Sequence, residues 1–102
     1  MGAMDFYTPA TGRSVHRAFF NARSQAAWDH GHRMYSGTVY EKDEVTVLDE
    51  PKRPLAQATE RAMELIGGRD PRVFPKEGPA GALPIETDAG EPAWLFFGMA
   101  AC

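Results

Sequence analysis

The run Ala93-Trp94-Leu95-Phe96-Phe97-Gly98-Met99 restricts the fold more than any other segment, because its side chains are apolar on both sides of a strand's pleat. A strand of that kind cannot lie against solvent. It belongs at the centre of a sheet or at an interface between subunits, and the rest of the chain has to supply its cover. At 102 residues there is material for one core and not for two. Gly2-Ala3, set between two methionines, looks like a cloning remnant, so residues 1–4 are set aside as a remnant or a disordered start and residues 5–102 are read as one domain.

Two segments carry helical periodicity. The first starts at Ser14, a suitable N-cap, and places Val15, Ala18, Phe19, Ala22 and Ala26 on one stripe, widened by Phe20, Ala27 and Trp28. Arg17, Asn21 and Ser24 take the opposite side, and Gly31 supplies a left-handed stop. The second starts at Pro54, where the first helical residue belongs. It repeats Leu55, Ala58, Ala62, Leu65 and Ile66 on one face, turns Glu60 and Glu64 outward, and stops at Gly67-Gly68.

Strand signals fill the remainder. Thr38-Val39-Tyr40 and Val45-Thr46-Val47-Leu48 flank the charged loop Glu41-Lys42-Asp43-Glu44 and predict a hairpin. Between Gly67 and Ala93 lie five glycines and five prolines, which excludes another long helix. Within that stretch Val73-Phe74 and Ala82-Leu83-Pro84-Ile85 are expected as short edge strands, where a proline is tolerated. The expected fold is α+β: two amphipathic helices on a mainly antiparallel sheet, in the order α-β-β-α-β-β.

Composition excludes several function classes. No apolar run approaches the ~20 residues of a membrane helix. A single cysteine, Cys102, permits no intrachain disulfide, which favours a reducing, cytoplasmic setting. Eight arginines against three lysines, with abundant alanine, fit a GC-rich bacterial source. The net charge of −3 is unevenly spread: residues 1–40 carry four arginines against two aspartates, whereas residues 41–102 carry seven bases and twelve acids. The basic part suits an anionic partner, but a pI near 5.5 argues against phosphate-driven nucleic-acid binding.

Chemistry-bearing residues concentrate in Asp29-His30-Gly31-His32, with His16 upstream. Histidine and carboxylate suit a divalent metal, and an aspartate can orient a histidine as a general base. Spacing opposes a shared site. Along a continuous helix His16 and His30 stand roughly 21 Å apart, and three donors from one short segment need a distant fourth. No cofactor is expected; a divalent metal at Asp29, His30 and His32 is the alternative. Ser36 sits in no nucleophile elbow, and Gly67-Gly68 ends a helix where a phosphate cradle would begin one.

The other constellation is a binding surface of Arg13, Arg17, Arg23 and Tyr35, with Trp28 and Tyr40 as stacking groups and His16 beside them. Arg13 and Arg17 share a helix face and Arg23 lies partly round it. The expected function is that of a small bacterial protein-interaction module, an accessory or inhibitor protein of the kind phages and mobile elements encode, which binds a partner's surface. A histidine-based or metal-dependent enzyme is the competing class. Self-association as a homodimer, by packing the first helix across a two-fold axis or by pairing a strand edge, would bury the aromatic excess.

Overall fold

Successive side chains of a strand point to opposite faces, and in Ala93–Ala101 both sets are apolar. Ala93, Leu95 and Phe97 enter one buried cluster, and Phe96 and Ala100 enter another. The demand for cover on both sides is met by one helix on each face of a four-stranded sheet. We describe residues 2–31 and 35–102 of a computed structural model of the chain, the His30 side chain excepted. The elements run β1 (Ala3–Thr11), α1 (Val15–His30), a 3-10 turn (Val39–Glu41), β2 (Val45–Val47), α2 (Leu55–Gly67), β3 (Ala80–Pro84) and β4 (Ala93–Ala101). The sheet order is β1-β4-β3-β2, so β4 is central as its composition requires. β1 and β3 flank β4 antiparallel, and β2 joins β3 in parallel.

The two helices form as their patterns dictate. The Ser14 hydroxyl accepts the Arg17 backbone N–H at 3.1 Å, and α1 ends at Gly31, whose φ of 75° is costly for other residues. Ala18, Phe19, Ala22 and Ala26 face the sheet, with the Phe19 ring 5.4 Å from that of Phe96. The alanines let the helix approach closely. Gly12, just before α1, has no room for a side chain, since a Cβ there would lie 2.5 Å from the Ala18 nitrogen. On the opposite face α2 buries Ala58, Ala62, Leu65 and Ile66 against Leu83, Leu95 and Phe97. Pro54 precedes the first helical residue, and Leu55 in the opening turn is exposed, so the buried stripe begins one turn later than its periodicity suggests.

Four local expectations are corrected, the last being the place of β3 in the sheet. Thr38-Val39-Tyr40 is no hairpin strand: the Thr38 hydroxyl accepts the Tyr40 N–H at 3.3 Å, and Glu41 accepts both the N–H and the hydroxyl of Ser36. These side-chain bonds divert the backbone from a ladder into the 3-10 turn. Val45–Val47 is a strand, but it pairs with β3 across α2 and not with its neighbour in sequence. Val73-Phe74 is a turn, its two N–H groups donating to the Asp70 carbonyl, with Val73 driven into the core.

β3 lies inside the sheet and not at its edge. Pro84 is tolerated there because the even-numbered residues of β3 bond towards β2, as in Leu48 N–H to Ala82 C=O and Ala80 N–H to Glu44 C=O, and β2 has ended before Pro84 is reached.

β1, which precedes α1, is a strand that periodicity alone did not reveal. Gly12 N–H donates to Pro92 C=O and Cys102 N–H to Gly2 C=O, so even-numbered residues of β1 bond β4. Odd-numbered residues, Pro9 among them, face the open edge, where a missing N–H costs nothing. Among the described residues no helix is long and apolar enough to cross a membrane.

Candidate interaction surface

An α-helix packed on a sheet needs one apolar stripe, and α1 has two. The first, Ala18, Phe19, Ala22 and Ala26, is spent on the core. The second, Phe20, Ser24 and Trp28, lies round the helix and faces outward, with the buried Ala27 beneath it. Trp28 is 86% exposed and Phe20 56% exposed. They stand eight residues apart, roughly 12 Å along the axis, at the two ends of one stripe. The large rings expected to widen the core stripe are therefore at the surface, because Ala18, Phe19, Ala22 and Ala26 already fill the space between α1 and the sheet.

The 3-10 turn supplies the other wall. Tyr40 stands across from α1, and together with Phe20, Arg23, Ser24, Ala27 and Trp28 it encloses an open groove of ≈ 560 Å³. Ala27 is almost fully buried and forms the floor. Arg23 fastens the two walls together: its guanidinium donates to the Tyr40 carbonyl at 3.2 Å and lies 5.3 Å from the centre of the Tyr40 ring. Its approach to Asp43, at 4.0 Å from an almost fully solvated carboxylate, adds little. Arg17 stacks on Phe20, 5.2 Å from the ring centre, and so sets a cation beside an exposed aromatic ring.

The turn is itself anchored from below. Lys42 is 1% exposed, and its ammonium donates to the carbonyls of Lys76 and Gly78 at 2.9 Å each and reaches that of Pro75 at 3.5 Å. Burial lowers its pKa, an effect that the nearby Glu77 carboxylate opposes. Burial also tends to raise the pKa of Glu41, yet the hydrogen bonds from Ser36 and from the Tyr35 backbone outweigh it and hold the carboxyl below its ordinary range. A rigid turn thus presents Tyr40 to the groove.

The residues singled out by sequence are only partly brought together. Arg17 flanks the groove, Arg23 builds its wall, and Arg13 and His16 are exposed near the start of α1 outside the lining. Tyr35 is half exposed in a left-handed conformation, φ 60°, and does not line the groove. Asp29 is exposed and accepts a hydrogen bond from Gln25 at 3.0 Å. His30 is the last residue of α1, while its side chain and all of His32 lie outside the described residues. Among the described residues no three histidine, cysteine, aspartate or glutamate side chains gather as metal ligands do.

Phe20, Ser24 and Ala27 were absent from the sequence-derived surface. Their signal was the apolar excess of α1, more than one face can bury. No family model, no curated protein and no solved structure matches this chain.

Proposed function

We propose that this chain is a small bacterial protein-interaction module, acting in the cytoplasm, that seats a protein partner on the outer face of α1. The observation that carries this reading is the pairing of Trp28 and Phe20, both well exposed, on one helix edge beside a preformed groove. Keeping two large rings in water is unfavourable, and clustered exposed aromatics flanked by arginine are the composition of binding hot spots. Arg23 and Tyr40 hold the groove in shape, so little ordering is left to be done on binding. Arg17, stacked on Phe20, is part of the contact surface itself, while Arg13 and His16 lie farther out near the start of α1, where charge sets the approach and its salt dependence more than the final affinity. Tyr35 is a further contact by virtue of its exposed ring. An accessory or inhibitor protein of a phage or mobile element is the kind of molecule this describes.

A photo-crosslinking residue placed at Phe20 in living bacteria tests the reading. It predicts discrete protein adducts that disappear on Arg17→Ala or Trp28→Ala and persist in His30→Ala/His32→Ala. Adducts that ignore the α1 changes, or a phenotype lost only with the histidines, would replace it with the enzymatic alternative.

A further inference from the structure

The outer stripe of α1 has a symmetry that points to its occupant. Ser24 stands at the midpoint between Phe20 and Trp28, four residues from each. It is small and exposed, so another helix can approach closely there. We infer that the occupant is a second copy of this chain, α1 against α1 in antiparallel sense, with the two-fold axis passing beside Ser24; this rests on the reading of the face as an interaction surface. In such a pair residue 20 of each copy lies opposite residue 28 of the other. Phe20 leans to one side of the stripe and Trp28 to the other, so the rings pack side by side without colliding.

Charge fits the same arrangement. Arg17 lies seven residues before Ser24 and therefore meets the end of the second copy's α1, near Gly31. That end carries the helix's negative pole and its terminal carbonyls, which a guanidinium favours. The two Arg17 side chains are meanwhile separated by about 21 Å along the helices, beyond the ~8 Å over which charges are felt at physiological salt. A parallel pairing would instead set Arg17 beside Arg17. The four rings would contribute roughly 600 Å² of buried surface. With Ser24 and the exposed flanking side chains, Arg17 and Asn21 among them, the total approaches the lower range of specific interfaces, about 1,200 Å². The second copy is thus large enough to cover the stripe and complementary to it in shape and charge.

Disulfide trapping tests the geometry, on a Cys102→Ser background that removes the native thiol. Ser24→Cys alone is expected to form a covalent dimer of twice the 11.2 kDa chain mass under mild oxidation. A mixture of Phe20→Cys and Trp28→Cys chains should give the heterodimer in preference to either homodimer. Glu60→Cys, on the exposed face of α2, should remain monomeric. Arg17→Glu should sharply reduce trapping through Ser24→Cys. Trapping no better than in Glu60→Cys, or unaffected by Arg17→Glu, overturns the inference. If the Phe20 photo-crosslinks in cells nevertheless join the chain to other proteins, the interaction surface stands and only the identity of its occupant falls; if they too are absent, both fall.

Discussion

At the scale of single residues, the most consequential side chain outside the groove is Lys42. Its aliphatic stem crosses the interior and its ammonium gathers the carbonyls of the 75–78 loop, so the 3-10 turn, the approach to β3 and the Tyr40 wall are tied to one group. Lys42→Met keeps the volume and removes the donor. It is expected to cost about 1.5–3 kcal/mol, the range for hydrogen bonds to a charged group, read from urea unfolding. A cost within experimental error would show that the tether is not needed.

Glu50 is a second such point. Hydrogen bonds from Arg61, opposed by partial burial and reinforced by Arg53, hold its carboxyl below the ordinary 4.5. A lowered folded-state pKa contributes stability that is complete above the unfolded value and lost as pH falls through the folded one. The melting temperature should therefore decline below about pH 4.5, and Glu50→Gln should flatten part of that decline. Identical pH profiles for the two proteins would contradict this assignment.

At the scale of elements, the open edge of β1 is a hazard that the sequence manages. Nine residues of edge strand could template pairing with another sheet, and Pro9 removes an N–H at an outward-facing position. Pro9→Val should restore that donor and produce large, polydisperse assemblies in light scattering while leaving α1 unaffected. Unchanged scattering would mean that the edge is protected by other means.

The same element shows why the fold was only partly legible. α1 and α2 announced themselves by a long run with one helical period and β4 by an unbroken apolar run, and Ser14 and Gly31 mark the ends of α1 by capping chemistry. β1 was obscured because an edge strand alternates weakly and Pro9 reads as a breaker. Val39 and Tyr40 carry strand-like side chains, but Thr38 and Ser36 capture the local backbone and turn, a contest that propensity does not score. β2 was placed with the wrong neighbour because a parallel partner lies beyond a helix, out of reach of local pattern. Of the surface, Arg17, Arg23, Trp28 and Tyr40 were legible as residue types; that Ala18, Phe19, Ala22 and Ala26 would fill the space under α1 and leave Phe20 and Trp28 outside was not.

For the whole molecule, the arrangement divides labour between the two faces of the sheet. The α2 face buries Leu, Ile and Phe side chains and turns Glu60 and Glu64 to solvent, with Leu55 and Met63 exposed beside them. The α1 face buries Phe6, Phe19 and Phe96 among alanines and leaves Phe20 and Trp28 outside. The two exposed aromatic rings beside the groove are the ground on which we propose the outer stripe of α1 as an interface, with self-pairing about Ser24 as its inferred arrangement.

Sedimentation equilibrium of the wild-type chain beside Trp28→Glu tests this directly, because an exposed position can be changed with little effect on folding. The account predicts twice the 11.2 kDa chain mass for the wild type and the single-chain mass for Trp28→Glu, with unchanged circular dichroism. A wild type that stays at 11.2 kDa at every concentration, or a Trp28→Glu variant that associates equally well, would contradict it.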